Sequence, residues 1–185
     1  MIKGEKARLD VHNILYSIYK FNRTLNNPKI LKIIDKSKTE DIAFINNVTL
    51  NSMRLQFHTL KIIQKYVKKK LRINEKILLI SATTQIVFLG FKEYAVINCT
   101  VEIAKKLKIY HGLVNSVLKK ISADKSKLKK TKIKFDDLPN WFVKKTSYFS
   151  KFEQNKFINN FHLEPDIHIV FKSTKKLNNF EKKII

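Results

Sequence analysis

The chain reads as an all-α bundle, and three observations lead there. Only three Gly and three Pro interrupt 185 residues, too few breaks for a turn-rich β fold. Apolar residues recur at helical spacing through most of the first 121 positions. The most apolar run, residues 77–90 (ILLISATTQIVFLG), is apolar on most sides, which is expected of a helix at the centre of a bundle. With 44% apolar and 11% aromatic residues, the chain is not wholesale disordered, and its length suffices for one domain with a real core, or one domain plus an appendage.

Residues 6–25 place Ala7, Val11, Leu15 and Ile18 on one stripe with Ile14 and Phe21 beside it, an amphipathic helix. Asn27 and Pro28 form an N-cap and first-turn pair for a short helix ending near Ile34. Ser37-x-x-Glu40 has the form of a capping box opening the next helix. Ile42, Ile45, Val48, Ser52 and Leu55 make its first stripe; Leu60, Ile63, Val67 and Leu71 continue it after a kink near Gln56. Asn74 is placed to cap the apolar helix over residues 75–89, and Gly90 to end it in the left-handed conformation. Tyr94, Ile97, Val101, Ala104 and Leu107 form the next stripe. A short break around Ile109–Gly112 separates it from the last, Leu113, Val114, Val117, Leu118 and Ile121.

Composition shifts after Ile121. Residues 122–134 (SADKSKLKKTKIK) hold no aromatic and many lysines, the pattern of an exposed linker. Asp136-Asp137-Leu138-Pro139 then opens a helix carrying Trp141, Phe142, Lys145 and Phe149, with Asp136 and Asp137 as capping residues. A second helical piece follows around Glu153–Phe161. After Glu164-Pro165, alternation of Ile167, Ile169 and Phe171 with polar neighbours predicts a short β-strand. The expected organisation is a helical domain over 1–122 and a basic linker, linker helices and the start of a C-terminal extension over 123–185.

Several function classes drop out. Cys99 is the only cysteine, so an internal disulfide framework or CxxC site is impossible, and a reducing cytoplasm is the natural setting. The N-terminus has no signal-peptide h-region, and residues 77–90 are too short to span a bilayer. On its helix Cys99 reads as a packing residue, not a nucleophile. The five histidines show no metal-binding spacing, so surface or capping roles are expected for them and neither metal nor cofactor is. The pair Trp141–Phe142 reads as an apolar anchor, with base stacking the lesser role.

The charge is the loudest signal. Four of 38 basic residues are Arg (Arg8, Arg23, Arg54, Arg72) and 34 are Lys, against 15 acids, for a formal +23. AT-rich coding explains lysine in place of arginine but not the shortage of acids. Such a surface attracts phosphate backbones through counterion release, which makes nucleic acid the expected partner. A membrane surface fits less well, because the cations are spread over several helices. Three basic clusters stand out: Lys3, Lys6 and Arg8; Lys65, Lys68, Lys69, Lys70 and Arg72; and Lys119, Lys120, Lys125, Lys127, Lys129, Lys130, Lys132 and Lys134. Each is a candidate RNA-contact group, with lysines positioning phosphate and not reading bases.

Val96-Ile97-Asn98-Cys99-Thr100-Val101-Glu102-Ile103-Ala104-Lys105 and Leu113-Val114-Asn115-Ser116-Val117-Leu118-Lys119-Lys120-Ile121 resemble the "VINEAVELAK" and "FVNGVLRKI" helices of the NusB-like family. Cys99-Thr100 departs from the family's Glu-Ala. Leu138-Pro139-Asn140-Trp141-Phe142-Val143 resembles the "YPDWLV" linker of RsmB-type (Sun/Fmu) small-subunit rRNA cytosine-C5 methyltransferases, and residues 164–171 stand where those enzymes have "PPLTLRVN". The resemblance implies a NusB-like bundle that binds RNA, rRNA above all, with basic residues near the start of its first helix among the contacts. The family's catalytic half needs a Gly-rich turn and two cysteines. With Gly4, Gly90, Gly112 and one Cys, this chain is not expected to be an enzyme; it reads as the RNA-binding half of such an enzyme or a stand-alone derivative. Two other readings stay open: a transcription antitermination factor acting on leader RNA with a ribosomal protein, and a non-catalytic protein-interaction scaffold.

Overall fold

The fold was obtained as a computed structural model that describes residues 4–161, 163, 170 and 172–174. Its helices are α1 (Glu5–Phe21), α2 (Pro28–Asp35), α3 (Thr39–Arg54), α4 (Gln56–Gln64), α5 (Ile73–Thr83), α6 (Glu93–Lys106), α7 (His111–Ala123), α8 (Lys125–Lys129), α9 (Asn140–Lys145) and α10 (Lys151–Phe161). A π turn (Thr84–Phe88) extends α5, and a 3₁₀ turn (Phe135–Asp137) precedes α9. No strand occurs among the described residues. The strand expected at Ile167, Ile169 and Phe171 lies outside them.

The apolar run is central, as its composition requires. Helix α5 touches α1, α3, α4, α6 and α7. Its Ile77 joins a core with Ala7, Val11, Ile14, Leu15, Ile30, Ile45 and Val48 from α1–α3. The next residues, Leu78, Leu79 and Ile80, join a second core with Ile62, Val96, Ile103, Val114, Leu118 and Ile121. Successive helical residues point about 100° apart, so a helix shared by two cores must be apolar nearly all round. Gly90, at φ +68°, then ends the run where a Cβ would be strained.

Some terminal signals act otherwise than expected. Asn27 does cap α2, its Oδ1 accepting from Lys29 N at 3.1 Å. Ser37 does not cap α3: its hydroxyl sits 2.9 Å from Ile33 O and 3.3 Å from Asp10 Oδ2, closing α2 against α1. Asn74 is inside α5; the first turn is held by Glu75, whose Oε2 accepts from Arg72 N at 2.8 Å. The kink near Gln56 is real, Leu55 (φ −97°, ψ 10°) separating α3 from α4. Helix α4 stops at Gln64, so Val67 and Leu71 continue the apolar stripe from a non-helical segment.

The α6–α7 break comes earlier than Ile109–Gly112, with Lys108 at φ +54° and Gly112 inside α7. A Cβ on Gly112 would meet the Tyr110 ring at 3.0 Å. The buried face of α6 is also turned from the expected stripe. Val96, Cys99, Thr100 and Ile103 are buried with Ile97 and Ala104, whereas Tyr94 is 65% exposed. Helix α6 packs on α1 and α5 as well as α7, and burial on several sides widens and rotates the inward arc. Phe21, expected beside the α1 stripe, is exposed and lies under the Arg23 guanidinium at 4.6 Å.

Residues 122–134 do not form a fully exposed linker. Leu128 of α8 is buried in the second core. Ile133, Phe135 and Leu138 form a third cluster with Phe57 of α4 and Phe142, Phe149, Phe157 and Phe161. Phe142 is the anchor; Trp141 is 64% exposed. Asp137 caps the 3₁₀ turn, not α9, accepting from Lys134 N at 2.7 Å.

Candidate nucleic-acid interface

Helix α2 buries Ile30, and helical spacing puts Lys29 and Lys32 together on another face, with Lys36 at the C-cap beside them. Lys6 of α1 faces them across a shallow groove of about 340 Å³ that also includes Asp10 and Ile33. Burial raises the Asp10 carboxyl above its usual range, against the Ser37 hydrogen bond and the Lys6 charge, with Asp41 adding to the rise. Four lysines and one carboxylate thus line the groove. Lys29, Lys32 and Lys36 fall outside the three basic clusters that stand out in the sequence; their 29–32–36 spacing is the signal that marks them.

Arg8 occupies a different setting from Lys6. Its Nε donates to Gln85 Oε1 at 2.8 Å, its Nη1 to Gly4 O at 3.1 Å, and its guanidinium lies 4.9 Å from the Phe44 ring centroid. Burial lowers its pKa. This side chain is engaged within the fold. Lys3, the remaining member of that cluster, lies outside the described residues.

Lys65, Lys68, Lys69, Lys70 and Arg72 are all exposed at the end of α4 and in the following loop. Glu75 restrains two of them: Arg72 Nη2 is 3.2 Å and Lys69 Nζ 3.8 Å from its Oε1. Burial alone would raise the Glu75 carboxyl, but the Arg72 amide, its guanidinium and Lys69 together hold it below the usual range. In the third cluster Lys119, Lys120, Lys127, Lys129 and Lys130 are exposed. Lys125 is tied to Glu93 at 2.7 Å.

The second and third clusters, far apart in sequence, meet in space. Lys65 Nζ donates to Thr131 Oγ1 at 3.3 Å, and Tyr66 OH donates to Asp124 Oδ2 at 2.5 Å. Lys61 Nζ reaches Lys132 O at 3.4 Å and pairs with Asp137 at 2.5 Å. Desolvation and its bond to Asp124 push the Tyr66 phenol up to about 12, so it donates throughout the physiological range. The start of the loop after α4, at Lys65, therefore lies against the segment 129–134.

Cys99 is fully buried and burial pushes its thiol pKa up, as befits a packing residue. No group of three candidate metal ligands occurs among the described residues. His12 and His58, expected at the surface or in caps, are buried; His58 lies 4.8 Å from the Phe88 ring. His162 and His168 lie outside the described residues. No described helix is long and apolar enough to cross a membrane.

A model of the NusB family matches residues 5–123, from the first residue of α1 to the last of α7. The chain belongs to the NusB family. Membership points to an RNA-binding or antitermination-type function. The NusB match takes in the α1–α2 groove and the loop after α4, whereas Lys125–Lys130 and the segment that meets the loop follow it. No curated protein gives a significant match.

Proposed function

We propose that this NusB-family protein binds structured RNA, with rRNA as its target, through the surface formed by the 65–72 loop and residues 127–134. The observation that carries this reading is the contact of the two lysine tracts at Lys65–Thr131, beside which Lys61 reaches the Lys132 carbonyl. It concentrates cations where a phosphate backbone gains most from counterion release. The α1–α2 groove with Lys6, Lys29, Lys32 and Lys36 supplies a second phosphate contact. Recognition is electrostatic docking plus shape, without bond-making chemistry, in a cytoplasmic setting.

The Leu138–Val143 resemblance supports the finer reading, an RNA-binding module of the RsmB type. Leu138 and Phe142 belong to the aromatic cluster that seats the extension on α4. Binding to structured rRNA fragments across a salt series tests the proposal: log affinity should fall steeply and linearly with log salt. Affinity that hardly changes with salt would sink it. Family membership also favours a second reading, an antitermination factor on leader RNA; specific co-purification of a small ribosomal protein, together with leader RNA preferred over rRNA, would select it.

A further inference from the structure

A groove of about 570 Å³ lies beside the basic surface, outside the residues matched by the family. One wall is the segment Lys129, Lys130, Thr131, Lys132 and Ile133; the other is α10, through Asn155, Ile158 and Asn159. The first wall is pinned at both ends, by Leu128 in the second core and by Ile133 in the third. Lys61 holds its middle through the Lys132 carbonyl. Asn155 and Asn159 are exposed, and their four-residue spacing puts both amides on one face of α10.

We infer that this groove is a subsite for a single-stranded stretch of RNA, in which Lys129, Lys130 and Lys132 hold phosphates while Asn155 and Asn159 read base edges. The inference rests on the RNA-binding reading above. Lysine supplies point charges without sequence information, whereas a carboxamide offers both an acceptor and donors, complementary to base edges. Duplex RNA keeps those edges paired and presents mainly shape and 2′-hydroxyls. An unpaired segment can turn bases into a concavity whose lining includes Ile133 and Ile158. The groove therefore pairs a wall for the backbone with a wall for the bases, which a purely phosphate-tracking surface does not need.

The test uses the full chain with oligo(A), oligo(U) and oligo(C) ribonucleotides and an RNA duplex of equal length. The protein should prefer one homopolymer over the other two and over the duplex. The double variant Asn155→Ala/Asn159→Ala should bind the preferred homopolymer about tenfold more weakly, the worth of two lost hydrogen bonds. Duplex affinity and its salt slope should not change. Exposed Asn→Ala changes favour helix, so selective loss cannot be ascribed to a melted α10. A wild-type chain with no homopolymer preference overturns the inference while leaving RNA binding intact. So does a double variant that keeps the preference, or one that weakens duplex and single strand equally. Failure of the wild-type chain to bind any of these RNAs overturns the inference, and failure also on the rRNA fragments overturns the RNA-binding reading.

Discussion

Arg8 and Gln85 are joined at 2.8 Å across 77 positions of sequence, tying the first turns of α1 to the π turn that extends α5. Gln85 is buried and its amide nitrogen donates to Ser81 O at 3.2 Å, so the bond completes a polar path through the bundle interior. Arg8→Met should strand the Gln85 carbonyl and lower stability by about 2 kcal/mol, read as an earlier urea midpoint. The salt slope of RNA binding should stay as in the parent. A shallower slope would show that Arg8 contacts phosphate instead.

The basic surface makes a quantitative demand. Lys68→Gln and Lys129→Gln should each reduce the slope of log affinity against log salt by about 0.7 to 0.9. Lys125→Gln should reduce it far less, because that ammonium is held by Glu93 at 2.7 Å. Equal effects from all three would mean that the local pairing does not govern which lysines meet RNA.

His12 gives the fold a pH dependence. Burial depresses its pKa from 6.5 to about 4, a hydrogen bond to Asn74 opposing the shift. Between these values the unfolded chain binds a proton that the folded chain excludes, so stability is retained above pH 6.5 and lost as pH falls toward 4. At pH 5 the loss relative to neutrality is about 2 kcal/mol. Chemical denaturation at pH 7 and pH 5 should show it, and His12→Gln should remove that part of the difference. An unchanged difference in the variant would place the acid sensitivity elsewhere.

Phe135 holds the C-terminal extension together. It is buried and packs against the rings of Phe142, Phe149 and Phe157 at centroid distances of 6.0, 6.1 and 6.1 Å. Phe135→Ala should weaken this cluster by about 3 kcal/mol. Hydrogen exchange should then accelerate in α9 and α10 while α5 and α7 remain protected, since their cores do not include Phe135. Uniform acceleration would show instead that extension and bundle open together.

Much of the bundle was legible in the chain because helices declare themselves by spacing and breaks. Asn27–Pro28 and the stop at Gly90 needed only local backbone chemistry. The match over residues 5–123 accords with the family resemblance read from the helices around Val96 and Val114. Ser37 and Asn74 both fit capping positions, but contacts with other elements or a better-placed Glu75 took precedence. The α6 face was misjudged because a stripe identifies one packed side, and α6 is covered on several.

The same division holds for the interface. Composition alone established a strongly cationic chain, and periodicity established helices able to bury a core. Which side chains lie together was decided by tertiary structure: Lys65 meets Thr131, Lys6 lines one groove with Lys29, Lys32 and Lys36, and Arg8 turns inward to Gln85. Helical periodicity is written within a few turns of sequence. The grouping of charges depends on how separate helices cross, which is set by the packing of buried side chains that carry no charge.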